Sequence, residues 1–151
     1  MSRISVQNTV SEERLMAAAA HSTSALPVLG ILGSLEIWLT QRKWSRFVAF
    51  HALQSVVYQI FSSSVLVVLG IPGAILLPLN LWLLLAQVRG ESAGGFAACS
   101  TLLVIWLFLL LGTALVLVII GLLSAASILR GKDVRYPVLG RWLKTYMEDR
   151  M

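Results

Sequence analysis

The sequence predicts an all-α integral membrane protein with four hydrophobic helical elements and a short interfacial C-terminal helix, three or four of the elements being full crossings. Three observations predict it. The chain of 151 residues is 58% hydrophobic and 13% charged, about half the charge of a soluble domain. Long stretches hold no Asp, Glu, Lys or Arg: Leu15 to Leu35, Phe47 to Val88 and Ser92 to Leu129. The apolar runs are continuous rather than alternating, and a bilayer admits only helices or closed barrels, so helices are expected.

The elements follow in order. Residues 1–10 are polar and are expected to be a mobile N-terminus, ahead of a membrane helical domain over 11–129 and a basic juxtamembrane tail over 130–151. Ser11 is placed to cap a first helix, with Glu12 and Glu13 at its positive end. The first span is expected from Leu15 to Thr40, kinked at Pro27 and Gly30. No cleavable signal peptide is expected, because the first apolar cluster, "LMAAAA", is short and follows two glutamates. "QRKWSR" makes a basic turn, and Ser45 caps a second span that reaches about Leu69. "GIPG", Gly70 to Gly73, is expected to break the helix. The third piece, Ala74 to Val88, is short and contains Pro78 and Asn80. The fourth, Phe96 to Leu129, exceeds one crossing and must tilt, extend beyond the bilayer or break near Gly112. After Tyr136-Pro137, Val138, Trp142 and Tyr146 recur every four residues, as in a helix lying at the interface.

The net charge of +5 sits at the ends of apolar runs. That placement indicates contact with membrane lipids, including anionic headgroups, rather than with nucleic acid. Arg42, Lys43, Arg46, Arg141, Trp142, Lys144 and Tyr146 are the interfacial candidates. The positive-inside rule puts both the basic turn and the tail in the cytoplasm. Three spans between them would place them on opposite sides. One way out is that Ala74–Val88 is re-entrant or interfacial.

The second helix is amphipathic within its apolar context. At 100° per residue, His51, Gln54, Ser55, Tyr58, Gln59, Ser62 and Ser63 share one half of the wheel, and Phe50, Leu53, Val57, Ile60 and Phe61 the other. Exposing that polar face to lipid is costly, so it must meet protein or water. The plain reading is interhelical hydrogen bonding, about 0.6 kcal/mol per bond. The sharper one is a groove lined for water or substrate. Glu36, the one acid inside a span, matches His51 in depth, so a buried Glu36–His51 pair, or a reach to Arg46, is expected alongside a glutamate that simply snorkels to water.

The two histidines raise the question of a shared ligand. His21 lies 22 residues before Lys43, about 33 Å along a straight helix, and His51 lies about 12 Å after it. A bis-histidine site is therefore not expected unless the first helix folds back at Pro27, and no cofactor or metal is predicted; a lone histidine holding pigment or haem stays open. There is no HExxH, GxSxG, Walker loop or CxxC, so no enzyme is indicated. "GAILL" and "GTALV" offer small residues for close helix packing, and Cys99 reads as a packing residue.

Three segments, "SEERLMAAAAHSTSALPVLG", "RKWSRFVAFHALQSVVYQI" and "LRGKDVRYPVLGRWL", resemble a bacterial family of small uncharacterised multi-span membrane proteins. That family is similar to the channel-type subunit of the chloroplast inner-envelope protein translocon. Glu12, Glu13, Arg14, His21, Arg46, Phe47, His51, Ala52, Gln54, Pro137, Gly140 and Arg141 occupy its pattern, and residues 70–110 carry none of it. The resemblance implies a helical fold of three or four spans and suggests polypeptide translocation. The expectation is thus a non-enzymatic, multi-pass protein of the bacterial cytoplasmic membrane that docks other membrane subunits through the polar face of its second helix. The alternatives are a small transporter, channel or translocation component, and an accessory subunit of a photosynthetic or respiratory complex.

Overall fold

The computed structural model describes residues 3–26, 29–91, 94–132 and 134. They form α1 (Arg3–Ser22), a single 3-10 turn (Thr23–Ala25), α2 (Leu29–Gln41), α3 (Arg46–Val88) and α4 (Phe96–Leu129). The chain is all-helical, with no strand among the described residues. Two of the helices, α3 and α4, are long and apolar enough to cross a membrane. The expected count of three or four crossings is not supported. The interfacial helix carrying Pro137, Gly140, Arg141, Trp142, Lys144 and Tyr146 lies outside the described residues, as does the expected kink at Pro27.

Three expectations about the elements are corrected. First, α1 begins at Arg3, so Ser11 sits inside it rather than capping it. Nothing in "RISVQNTV" breaks a helix, as it holds neither Gly nor Pro. Second, the expected span from Leu15 to Thr40 is two helices. At its break Ser22 Oγ donates to the Ala19 carbonyl (2.8 Å) and Thr23 Oγ1 to the Ala20 carbonyl (2.7 Å). Such hydroxyls compete with the helical ladder. Leu26 is extended, at φ −115° and ψ 92°, as the residue before a proline prefers.

Third, "GIPG" does not end the second helix. Residues 45–69 and 74–88, expected as separate pieces, belong to one helix of 43 residues with Pro72 and Pro78 inside it. Pro72 lacks the N–H that would bond the Val68 carbonyl, and its ring disturbs the turn before it. Away from water such a lesion is tolerated when a neighbouring helix supplies a donor. Trp106 of α4 donates its Nε1–H to the adjacent Leu69 carbonyl at 2.8 Å, one residue past the carbonyl that Pro72 leaves without its helical donor. α4 likewise runs unbroken through Gly112.

The helix ends follow the local chemistry. Ser45 caps α3, its Oγ accepting the Val48 N–H at 3.2 Å. α3 and α4 both end in Schellman turns. Gly90 (φ 78°) and Gly131 (φ 85°) take the left-handed position that favours glycine. Glu91 N–H then bonds the Ala86 carbonyl and Lys132 N–H the Ser127 carbonyl, each at 3.0 Å.

Among the described residues, those up to 63 together with those from 117 onward form one compact unit, and those between 64 and 116 another. In the first, Ala17, Ala18, Ala125 and Ile128 form a buried cluster with Phe47 and Val134 against it. Alanines there let α1 and α4 approach closely. Gly121 of α4 permits a similar approach, since a side chain there would collide with Ser24. In the second unit α3 and α4 run antiparallel. Asn80 Nδ2 donates to Ser100 Oγ (2.7 Å), and the Cys99 thiol is buried 4.0 Å from the Leu76 carbonyl. Of the two glycines expected to allow close packing, Gly73 faces the Trp106 ring, whereas Gly112 has nothing within 4 Å.

A Cβ at Gly73 would overlap the Trp106 ring. Gly73→Ala is therefore expected to destabilise the helix pair by about 1–3 kcal/mol. Adding Trp106→Ala should relieve the overlap, so the two losses should add to less than their sum. SDS titration of the detergent-purified protein, followed by circular dichroism, measures both.

Candidate functional site

The richest concentration of polar side chains is inside the first unit, where α1, the 3-10 turn and α2 meet the first half of α3. The break after Ser22 turns the chain so that α2 returns beside the last turn of α1. Gly30 makes that return possible, since a side chain there would strike the Thr23 carbonyl and Gln59 Oε1. Hydrogen bonds then converge on the Ala20 carbonyl. Ser55 Oγ donates to it at 2.6 Å, Thr23 Oγ1 at 2.7 Å and Ser34 Oγ at 2.9 Å. Ser34 Oγ also lies 2.8 Å from Thr23 Oγ1 and 3.1 Å from Ser55 Oγ. Gln59 Nε2 closes the cluster, reaching Thr23, Ser34 and Ser55 at 2.9, 2.9 and 3.0 Å.

Those eight contacts share only five hydrogens, one on each hydroxyl and two on the Gln59 amide. At most five can therefore form at once. The cluster has several equivalent proton arrangements, and every hydroxyl hydrogen finds an acceptor in each. One turn further on, Tyr58 Oη donates to the Leu117 carbonyl of α4 at 2.7 Å, and Ser62 Oγ to the Tyr58 carbonyl at 2.5 Å.

The residues singled out on the second helix are thus turned inward. His51, Gln54 and Ser55 are wholly buried, Tyr58 and Gln59 nearly so, and Ser62 half-buried. Phe50, Leu53 and Val57 are half-buried, and Ile60 and Phe61 are exposed. The chain's own N-terminal helices cover the polar face. This corrects the expectation that the face docks another subunit.

Glu36 and His51 are not brought together. Glu36 is exposed, whereas His51 has no accessible surface. α2 turns Ser34, two residues earlier, into the cluster and leaves Glu36 outside. Arg42, Lys43 and Arg46 are exposed on and beside the α2–α3 turn. The Arg42 guanidinium lies 5.2 Å from the Trp38 ring centre, and Trp44 is 84% exposed.

The histidines provide the largest departure from the sequence reading. His21 and His51 pack edge to face, their ring centres 5.8 Å apart. The 33 Å depth argument assumed one straight helix through residues 21–43, and the break at Thr23–Ala25 removes that assumption. Phe47 and Phe50 flank His51, with ring centres at 4.6 and 5.5 Å. Burial, and then the neighbouring His51, push the His21 imidazole down to about 3. His21 therefore stays in its neutral form, the one that can accept a proton or a metal. Both amide atoms of Gln54 are buried with no hydrogen-bond partner among the described residues. Sequence reasoning saw His51 and Gln54 on one face but not His21 beside them. Among the described residues no three His, Cys, Asp or Glu side chains gather as a metal site.

These features define an all-α protein with two membrane-length helices and a hydrogen-bonded polar junction within one helical unit. Residues 12–143 match the MamF/MmsF magnetosome magnetite crystal formation protein family. The match spans most of the sequence, and the chain belongs to that family. The assignment replaces the translocon-like resemblance. It runs through the segments that carried that resemblance and also through residues 70–110, which carried none. No curated protein and no solved structure matches the chain.

Two variants test the geometry of the junction. Ser34→Ala removes a hydroxyl that touches four partners and is expected to cost about 1–3 kcal/mol, above the ~0.6 kcal/mol average for a hydrogen bond between membrane helices. Glu36→Gln is expected to change stability by less than about 0.5 kcal/mol, as for a surface substitution. Chemical unfolding in detergent distinguishes the two.

Proposed function

We propose that this protein is a non-enzymatic, membrane-inserted structural component of magnetite crystal formation, held in the magnetosome membrane by α3 and α4. The observation that carries the reading is the family match over residues 12–143. The apolar surface of the two long helices supports insertion. Val67, Val68, Ile71, Ile75, Trp82, Phe108 and Leu111 are each more than half exposed, a surface that water tolerates poorly and acyl chains accept.

The charge pattern supports the same reading. With residues 46–88 as one helix, two long helices separate the basic α2–α3 turn from Arg130 and Lys132. An even number of crossings puts both basic segments on one face of the membrane, so the positive-inside rule is obeyed without a re-entrant segment. Arg42 and Lys43, beside the exposed Trp44, are then placed to meet anionic headgroups. A solute path along the second helix has less support, because its polar side chains bond one another instead of lining an opening. Other membrane proteins are the natural partners for the remaining apolar surface.

Two measurements test the proposal. Reporter fusions or cysteine labelling should place residue 43 and residue 132 on the same side of the membrane, with residue 91 opposite. Deleting the gene in a magnetite-forming cell should change crystal size or habit, with recovery on re-expression. Opposite sides for residues 43 and 132 would overturn the two-crossing topology, and unchanged crystals would overturn the assigned role.

A further inference from the structure

We propose that His21, His51 and Gln54 form a binding site for one divalent first-row transition-metal ion, which ties α1 to α3. The argument starts from the ring geometry. A ring centre stands about 3.2 Å from a metal bound through its nitrogen, given metal–nitrogen lengths of ~2.0–2.1 Å. Two imidazoles on one ion then lie roughly 5 Å apart at a tetrahedral angle and about 6 Å apart when the angle opens further. The observed separation of 5.8 Å falls inside that range. That spacing accommodates a shared ion between the two rings, as it also accommodates plain edge-to-face packing.

Gln54 supplies the independent observation. It sits three residues after His51 on α3, on the same helical face. It is wholly buried, and neither its Oε1 nor its Nε2 has a hydrogen-bond partner among the described residues. A buried amide with both ends unmet costs several kcal/mol in an apolar setting, and such groups mark the place of a bound water or ion. Its Oε1 is the third donor. Nothing nearby competes for it, because the hydroxyl cluster uses Gln59, one turn and a half further along.

The surroundings suit an ion of this class. Two imidazoles and one amide oxygen favour Fe, Co, Ni, Cu or Zn over Mg or Ca, which take oxygen ligands throughout. Three neutral ligands are enough, as three-histidine zinc sites show. Ala17, Val48, Ala49 and Ala52, neighbours of the two histidines in the chain, are buried without accessible surface, so the surroundings are apolar. The site stands on this geometry alone and does not depend on the role proposed above.

The chain has two histidines, which makes the test clean when the protein carries an affinity tag without histidine. The full-length protein in detergent is titrated with Co²⁺, and the loaded protein is examined by X-ray absorption. Expected are one Co²⁺ per chain, two imidazoles in its first shell and a higher melting temperature. His21→Ala and His51→Ala should each weaken binding by more than the roughly 10–100-fold lost with an outer-shell partner, and Gln54→Leu by a smaller factor. Wild-type protein also reports directly, because Co²⁺ should paramagnetically shift the imidazole NMR resonances of both histidines. Absence of binding, a bound ion without imidazole in its shell, or unshifted histidine resonances would each overturn the site, even if the variants fail to fold.

Discussion

The fold of the first unit depends on one backbone oxygen, the Ala20 carbonyl at the end of α1. Hydroxyls from the 3-10 turn, α2 and α3 all reach it, through Thr23, Ser34 and Ser55. The reason lies in the chain's composition. With so few charges and so much apolar surface, polar groups inside the protein have little water to turn to, and each must find a partner within the chain. A helix that stops at Ser22 leaves its last carbonyls unmet. Side-chain hydroxyls on the next two helices meet one of them, and in doing so determine where α2 and α3 lie against α1.

The second unit is held by shape more than by hydrogen bonding. Its helices carry apolar residues around most of their circumference, so neither has a single face that sequence could assign to the interior. Register comes instead from a few features: Trp106 over Gly73, the Trp106–Leu69 bond and the Asn80–Ser100 pair. The Trp106 indole has two roles. Its ring fills the space that Gly73 leaves, and its N–H bonds a carbonyl beside the turn that Pro72 disrupts. An interior proline, ordinarily a reason for a helix to end, lies within a helix of 43 residues.

The family is defined by magnetite crystal formation. Under the proposed reading, α3 and α4 hold the chain in the membrane, while the polar junction keeps the N-terminal helices at one place on α3. A metal at His21 and His51 would strengthen the same joint. The Ala20 cluster and the histidine pair lie within two turns of α3, so both act on the attachment of α1.

The sequence by itself determined the helical class, the extent of the Phe96–Leu129 helix, the Ser45 cap and the inward face of α3 from His51 to Gln59. Each of these follows from local composition or from a period of 3.6 residues, and needs no knowledge of neighbours. Tertiary structure alone decided the rest. The break at Thr23–Ala25 arises because hydroxyls there satisfy backbone groups, and it brings His21 to His51, whereas a straight helix would have kept them far apart. That α3 continues through Pro72, with Trp106 from 34 residues away in the chain bonded beside that turn, is visible only in the fold. The exposure of Glu36 follows from the rotation that puts Ser34 inside. Where His21 and Ser34 come to rest depends on partners distant in sequence, and a local pattern carries no information about which distant side chain will arrive to satisfy a buried group.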